Sequence, residues 1–247
     1  ANGAAGRHAI APVDVNYDFV LDVALAGAGG VRLFQQDSRG AFEEITAQLP
    51  ASAVDGSYAG IWSADIDMEG DMDLVLARTD GAPLVLRNNG DGSFSQQEPF
   101  EAAQDVRDFV WADLDGDGDP DAGFVDRTGQ LTVYLNERSG SFRTLDLPAE
   151  VGRVLAVEVA DLNADGVIDL MVLTADGTVR RLSRNLSDDT WAIHEVVSSN
   201  SLPTDLPPGS VELIVQDYDN NGQLDILSTT GNGARIWLGT PESTFRR

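Results

Sequence analysis

Five aspartates on alternate positions of residues 113–121 could do metal chemistry. The segment is Asp-Leu-Asp-Gly-Asp-Gly-Asp-Pro-Asp, with glycine at position six, where a sharp turn needs a positive φ. Alternate carboxylates on a curled backbone converge on one point and repel one another unless a hard cation lies between them. Calcium accepts about six to eight oxygen ligands in flexible geometry, including the backbone carbonyl of position seven. The spacing therefore predicts a calcium-binding loop.

The segment also resembles the first nine positions of an EF-hand loop, which is the alternative interpretation. An EF-hand supplies a bidentate glutamate at position twelve and lies between two helices. Position twelve is Phe124 here, and residues 121–125 (Asp-Ala-Gly-Phe-Val) have the character of a short strand. We therefore predict an ion held between two strands, which differs from a helical calcium sensor.

The acidic loop occurs five times along the chain. The first aspartates of the copies lie 51, 48, 48 and 56 residues apart. These first positions are Asp14, Asp65, Asp113, Asp161 and Asp217. A repeat of about fifty residues is typical of a propeller blade with four short strands.

The elements around each loop support this interpretation. One apolar segment runs into the loop (108–112), a second leaves it (169–173), and a third follows a turn (131–135). These segments are short and rich in β-branched and aromatic residues, with turn residues between them. A fourth segment opens with an aromatic 28 to 30 residues after each first aspartate, which we interpret as core packing between blades. The aromatics are Phe42, Phe94, Phe142, Trp191 and Phe245.

The sequence thus predicts an all-β fold, a β-propeller of four-stranded blades. We expect a single domain over residues 1–247. Its repeats are predicted at approximately 7–50, 57–100, 106–149, 152–198 and 210–247. A closed ring of five blades is favoured, and part of a larger propeller is the alternative.

These repeated loops resemble the FG-GAP/VCBS repeat family, the calcium-loop propellers that also form the head of integrin α subunits. Residues 86–94 (Leu-Arg-Asn-Asn-Gly-Asp-Gly-Ser-Phe) are similar to the third-to-fourth strand turn of bacterial members, including those of the ASPIC/UnbV type. The resemblance covers nearly the whole chain and implies Ca²⁺ bound by the loop aspartates. It implies little about a partner, because such propellers serve many proteins.

The five loops differ in how many of the family's ligand positions they match. The third loop matches at every position, and the second has Glu69 at position five. Asn163 and Asn221 each replace one carboxylate and lower the site charge. In the first loop Phe19 stands where glycine belongs, so we expect a strained or differently shaped turn. For this loop a retained fold position that holds no ion is favoured, and calcium binding is the alternative. The predicted metal ligands are Asp65, Asp67, Glu69, Asp71 and Asp73; Asp113, Asp115, Asp117, Asp119 and Asp121; Asp161, Asn163, Asp165, Val167 and Asp169; and Asp217, Asp219, Asn221, Gln223 and Asp225.

Composition restricts the class of partner. The formal charge of −25 disfavours nucleic acid, whose phosphates attract basic surfaces. The 42% hydrophobic content is sufficient for a sizeable core, and no run approaches the length of a membrane span. Structural calcium sites of moderate affinity suit a compartment rich in calcium. We therefore expect an extracytoplasmic protein, whether secreted, periplasmic or on the cell surface.

No catalytic residues are predicted. The chain has no cysteine, and its two histidines, His8 and His194, lie alone. We expect a calcium-stabilised, non-catalytic binding or adhesion module with a protein or glycan partner. One alternative is a glycan-binding lectin, in which Trp62, Trp111 and Trp237 could offer stacking faces, although core packing is favoured for each. Another is an accessory domain of a larger secreted polysaccharide-active enzyme.

Overall fold

A computed structural model describes residues 8–138, 140–187, 190–198, 206–231, 233–241 and 244–246. In these ranges, twenty strands form five four-stranded sheets, with one α-helical turn and two 3-10 turns between them. The helical turn α1 is Ala51–Val54, and the 3-10 turns are Thr46–Gln48 and Ala149–Val151. None of the helices in the described ranges has the length and apolar character needed to cross a bilayer.

Each sheet consists of four strands that are consecutive in the chain. Sheet 1 contains β1 (Ile10–Val13), β2 (Asp22–Gly27), β3 (Gly30–Gln36) and β4 (Phe42–Glu44). Sheet 2 contains β5 (Tyr58–Ala64), β6 (Asp73–Arg78), β7 (Leu84–Asn88) and β8 (Phe94–Gln97). Sheet 3 contains β9 (Val106–Ala112), β10 (Asp121–Asp126), β11 (Leu131–Asn136) and β12 (Phe142–Leu145). Sheet 4 contains β13 (Val154–Ala160), β14 (Asp169–Thr174), β15 (Thr178–Asn185) and β16 (Thr190–Ser198). Sheet 5 contains β17 (Glu212–Gln216), β18 (Asp225–Thr230), β19 (Gly233–Gly239) and β20 (Phe245–Arg246).

Every sheet has its four strands in chain order, so each is a simple meander. This is the arrangement of a propeller blade. The predicted all-β propeller fold with five four-stranded blades is therefore confirmed. Closure of a five-bladed ring, the single domain and the repeat bounds stay predictions.

The second strands of sheets 2, 3 and 4 are buried almost along their whole length, which explains their apolar runs without alternation. In β6, Leu74, Val75, Leu76 and Ala77 are all fully buried. A strand covered on both faces has no solvent side, so consecutive residues are apolar. The outer strand β4 is instead exposed along its whole length.

The chain divides into two compact units, Ala1–Arg107 with Glu137–Phe142 and Asp108–Asn136 with Arg143–Arg247. In the first unit, apolar side chains of sheets 1 and 2 form one core. The Ile61 N–H donates to the His8 carbonyl at 2.7 Å and ties these sheets together. In the second unit, separate cores join sheet 3 to sheet 4 and sheet 4 to sheet 5.

The aromatic residues that open the fourth strands lie mostly in or beside these cores. Phe94 is buried, and Phe142 lies 4.6 Å from Phe100 between ring centroids. Trp191 and Phe245 pack at the margins of the second unit's cores. For Phe42 the prediction is wrong, because this side chain is 51% exposed. Its strand has only three residues and pairs Phe42 with Gln36 at the end of β3, away from the core.

Candidate metal centres

All five acidic loops connect the first strand of a sheet to its second strand. The last ligand position of each loop is also the first residue of that second strand. Phe124, at position twelve of the third loop, lies inside β10. The prediction of a loop between two strands is confirmed, and the EF-hand alternative is excluded for this loop.

The first aspartate organises the turn of each loop. In the third loop, Asp113 Oδ2 accepts a hydrogen bond from the Gly118 N–H at 3.0 Å, and Oδ1 accepts one from the Gly116 N–H at 2.7 Å. In the second loop, the Gly70 N–H donates to Asp65 Oδ2 at 2.9 Å. Gly118 has φ +92°, in the left-handed region that glycine adopts without steric cost. The glycine at position six therefore lets the backbone curl around the aspartate.

The last aspartate anchors the loop to the sheet. Asp121 is 1% exposed, and its Oδ2 accepts from the Leu114 N–H at 2.8 Å while its Oδ1 accepts from the Asn136 N–H of β11 at 2.9 Å. One buried carboxylate therefore accepts hydrogen bonds from both the loop and the third strand. The same pair of backbone donors serves Asp22, Asp73 and Asp225 in their own blades.

Burial makes the charged form of these carboxylates costly. Burial, together with the neighbouring loop aspartates, raises the pKa of Asp73 to about 7 and that of Asp121 to about 6. The backbone hydrogen bonds oppose this rise but do not cancel it. A cation in the loop would offset both the burial and the repulsion.

Three loops bring carboxylates close enough to share one ion. In each, one oxygen from each of three aspartates lies within 4.8 Å of the other two. Oxygens bound to a single calcium at about 2.3–2.6 Å lie within about 5 Å of one another. Asp65 Oδ1 is also buried without a hydrogen-bond partner, so the second loop has an acceptor that an ion would satisfy. The trios are Asp65, Asp67 and Asp73; Asp113, Asp115 and Asp117; and Asp217, Asp219 and Asp225.

Some predicted ligands have other partners in the structure. The Asn221 side chain donates through Nδ2 to the Gly239 carbonyl at 3.1 Å and accepts through Oδ1 from the Gln223 N–H at 2.7 Å. Glu69 is 59% exposed and forms an ion pair with Arg87. These side chains would have to exchange a protein contact for a metal contact.

The fourth loop is arranged differently. Asp161 accepts from the Gly166 N–H at 2.9 Å, as in the other loops, and Asn163 donates to Asp165 at 2.7 Å. Asp169 is 1% exposed, but neither of its oxygens accepts the backbone hydrogen bonds of its counterparts, and Arg181 Nε lies 3.7 Å from Oδ2. Within the described residues, this loop does not form a close carboxylate trio.

The first loop keeps the shape of the others despite its missing glycine. The Phe19 N–H donates to Asp14 Oδ2 at 2.9 Å, the bond that glycine makes elsewhere. Phe19 has φ +61°, which costs an L-residue about 1–2 kcal/mol. The expectation of a strained turn is therefore confirmed, and that of a different shape is wrong. No trio of carboxylates forms in this described loop.

Comparison with known proteins agrees with this geometry. The model of the FG-GAP-like repeat matches residues 14–76, 65–124 and 113–172. The chain belongs to the FG-GAP-like repeat family. Each match begins at the first aspartate of one loop and continues past the next loop. The similarity to ASPIC/UnbV-type members stays a prediction.

Solved structures share the fold of this FG-GAP-like chain. One is described as the structural basis of specific recognition of non-reducing terminal N-acetylglucosamine by an Agrocybe aegerita lectin. It has 18% identity and a TM-score of 0.65, and the match covers 95% of this chain and 64% of that one. BBS1N in complex with ARL6DN, soaked with lead, has 18% identity and a TM-score of 0.58 over 96% of this chain and 64% of that one. The mercury-soaked form has 17% identity and a TM-score of 0.60 over 95% and 66%.

These similarities show the fold alone. The FG-GAP-like chain spans 64%, 64% and 66% of the length of these three solved chains. No curated protein matches it in sequence.

The loops also have basic partners that the repeat pattern did not predict. In the second loop, Arg87 contacts both Asp67 and Glu69. In the third and fifth loops, Arg184 Nη1 lies 3.7 Å from Asp115, and Arg246 Nη2 lies 3.7 Å from Asp219. No spacing in the sequence identifies Arg87, because it lies 20 residues from Asp67 and reaches the loop only once the strands pair.

A groove of about 650 Å³ lies in the second unit of this FG-GAP-like protein. Its walls come from β15, β16, β19 and β20 and from the fourth and fifth loops. Both polar and apolar side chains line it. Trp237 is 4% exposed, so it belongs mainly to the core, as the sequence analysis favoured. The lining includes Arg181, His194, Glu195, Gln223, Trp237 and Phe245.

Proposed function

We propose that this FG-GAP-like protein is an extracytoplasmic binding module whose blades are stabilised by calcium and that has no catalytic role. The carboxylate trios of the second, third and fifth loops carry this proposal. A protein or a glycan is the proposed partner.

The donor set favours calcium over other metals. Every predicted side-chain ligand offers oxygen, and the chain has no cysteine and no histidine in these loops. Hard cations prefer oxygen ligands, whereas zinc and copper favour sulfur or imidazole. Magnesium demands near-ideal octahedral geometry at about 2.0–2.1 Å and keeps several waters, so it is less suited to a loop rich in carboxylates.

Bound calcium would act on stability. An ion that binds only the folded chain adds about 2.7 kcal/mol per site at a hundred times its dissociation constant. The third loop would gain most directly, because five aspartates there need a counter-charge. Asp113, Asp115, Asp117 and Asp121 would hold the ion through their side chains, and Asp119, at position seven, through its backbone carbonyl.

The extracytoplasmic location follows from the expected affinity. Calcium sites of extracellular modules have dissociation constants of about 10⁻⁴ to 10⁻³ M. The loops lie on exposed turns and use amide as well as carboxylate ligands, which lowers the charge at two of them. Sites of this affinity fill outside the cytosol.

Calorimetric titration of chelator-treated protein with calcium tests the proposal, with magnesium at the same concentrations as the control. We expect binding to several sites and a higher melting temperature in calcium than in chelator. Equal melting temperatures in the two conditions would contradict calcium stabilisation. Submicromolar dissociation constants at every site would contradict the extracytoplasmic location.

Glycan binding is a second candidate, which the groove of the second unit favours. A concave site lined by apolar side chains and a few polar groups is typical of small-molecule binding. Arg181 and His194 are cross-strand neighbours on β15 and β16, so both present polar groups from one part of the sheet. The similarity in fold to the N-acetylglucosamine-binding lectin supports testing this ligand class first.

A glycan array that includes terminal N-acetylglucosamine tests this candidate. We expect binding to be lost in Arg181→Gln and weakened in His194→Ala. Arg153→Gln is the matched control, because Arg153 lines a different groove in the same unit. Binding that persists in both groove variants would assign the glycan to another surface, and no binding at all would refute the candidate.

A further inference from the structure

The second loop has a closely bound cationic side chain of its own. Arg87, on β7, directs its guanidinium at the loop, where Nε binds Asp67 Oδ2 and Nη2 binds Glu69 Oε2. Its Nη1 donates to Asn89 Oδ1 at 3.2 Å. The Arg87 side chain is 23% exposed and that of Asp67 is 15% exposed, so the contact between them is largely screened from solvent. Arg87 therefore uses the oxygens of two predicted calcium ligands.

The register of the sheets shows that this arrangement is particular to one blade. In every blade, the residue directly after the loop's last aspartate pairs with one residue of the third strand. In sheet 2, Arg87 is the next residue along the strand after this paired residue. The corresponding positions of the other four blades have no cationic side chain. They are Gln35, Leu135, Ser183 and Leu238.

Other arginines approach the third and fifth loops more distantly. Arg184 lies 3.7 Å from Asp115, and Arg246 lies 3.7 Å from Asp219. Each of these distances joins the arginine to one predicted ligand and exceeds the length of a hydrogen bond. Arg87, in contrast, forms ion pairs with two predicted ligands of its loop at the same time.

We propose that Arg87 is an internal competitor for the cation of the second loop, so that calcium enters this loop only as the guanidinium leaves Asp67 and Glu69. This inference rests on the proposed calcium function. A carboxylate oxygen can bind the arginine fork or the ion, and two cations at one site repel each other. Because Arg87 is tethered beside the loop, it competes at every calcium concentration.

Two consequences follow for the protein. The first is that the second loop fills at a higher calcium concentration than the third loop, where Leu135 takes the register position of Arg87. The second is that the ion pairs of Arg87 hold the second loop together when calcium is absent.

Arg87→Leu tests the proposal, because leucine occupies the same register position in sheets 3 and 5. We expect calcium to bind the second loop about tenfold more tightly, since the ion no longer has to displace two partly exposed ion pairs. We also expect a lower melting temperature in chelator. A purely structural role for Arg87 would lower stability without tightening calcium binding.

Arg78→Leu is the matched control. Arg78 lies in the same sheet, is 26% exposed, and pairs with Glu98 rather than with the loop. Its replacement removes the same charge, so a general electrostatic effect would appear in both variants. Asp65→Asn in the Arg87→Leu background assigns the tightened site to the second loop. Arg87→Gln, which keeps a polar side chain, serves if the leucine variant does not fold.

Calorimetric titration with calcium chloride separates the outcomes. A site that tightens in Arg87→Leu, stays unchanged in Arg78→Leu and disappears with Asp65→Asn supports the proposal. Unchanged or weaker affinity in both Arg87 variants overturns it, while calcium bound by the third and fifth loops would still support the proposed function. Absence of calcium binding in every variant overturns both.

Discussion

Asp121→Asn and Asp22→Asn make the same change in two loops that differ in their predicted metal binding. Asp121 accepts two backbone N–H bonds, at 2.8 and 2.9 Å, and Asp22 accepts two at 3.0 and 2.8 Å. Both side chains are buried. Asparagine keeps one acceptor oxygen and replaces the other with an amide group, so one backbone donor loses its acceptor in each variant.

The shared cost is about 1–3 kcal/mol for a buried donor left without a partner. Burial raises the pKa of both carboxyls, so the relief gained by removing a buried charge is also shared. Only Asp121→Asn removes a charged ligand from a predicted calcium site, whose ion adds about 2.7 kcal/mol at a hundred times the dissociation constant. At about 2–4 °C per kcal/mol for a chain of this size, the calcium-dependent rise in melting temperature should shrink by about 5–10 °C.

Thermal melts followed by circular dichroism, in chelator and in calcium, measure this difference. We expect both variants to melt at similarly reduced temperatures in chelator. In calcium, Asp22→Asn should keep the full calcium-dependent rise and Asp121→Asn should lose part of it. Equal loss in the two variants, or a full rise in Asp121→Asn, would refute the assignment of the ion to the third loop.

Three further predictions follow from local geometry. In chelator, the melting temperature should fall as pH rises from 3.8 to about 7. Folded Asp73 keeps its proton up to about pH 7, whereas the unfolded chain releases this proton near pH 3.8, so the folded state is stabilised less as pH rises. A melting temperature that rises over this range would contradict the prediction. Gly92→Ala should cost about 1–2 kcal/mol for its left-handed backbone, since an added Cβ meets no atom within 4 Å. Gly30→Ala should cost more, at least about 3 kcal/mol in urea unfolding, because its Cβ would lie 1.7 Å from the Val54 carbonyl oxygen; equal costs would contradict the clash. Tyr58→Phe should cost about 1 kcal/mol by the same measurement, because its buried hydroxyl donates to a backbone carbonyl, and an unchanged stability would contradict that bond.

Much of the loop architecture could be predicted from the sequence because its contacts are local. Asp113 and Gly118 are five residues apart and meet through one turn, so the residue spacing itself encodes the hydrogen bond. The same holds for Asp121 and Leu114, seven residues apart. Repetition of this pattern also identified the family and the number of blades.

The sequence by itself therefore determined the repeats, the strands beside each loop and the local frame of the loops, since short-range spacing and side-chain type specify them. Tertiary structure alone decided that Arg87 bridges two ligands of the second loop, that Asp169 lacks the backbone donors of its counterparts, and that Phe42 is exposed. These features depend on which strands pair, in which register, and on how far each strand extends. A linear pattern does not contain that information, because residues distant in the chain become neighbours only when the sheets form.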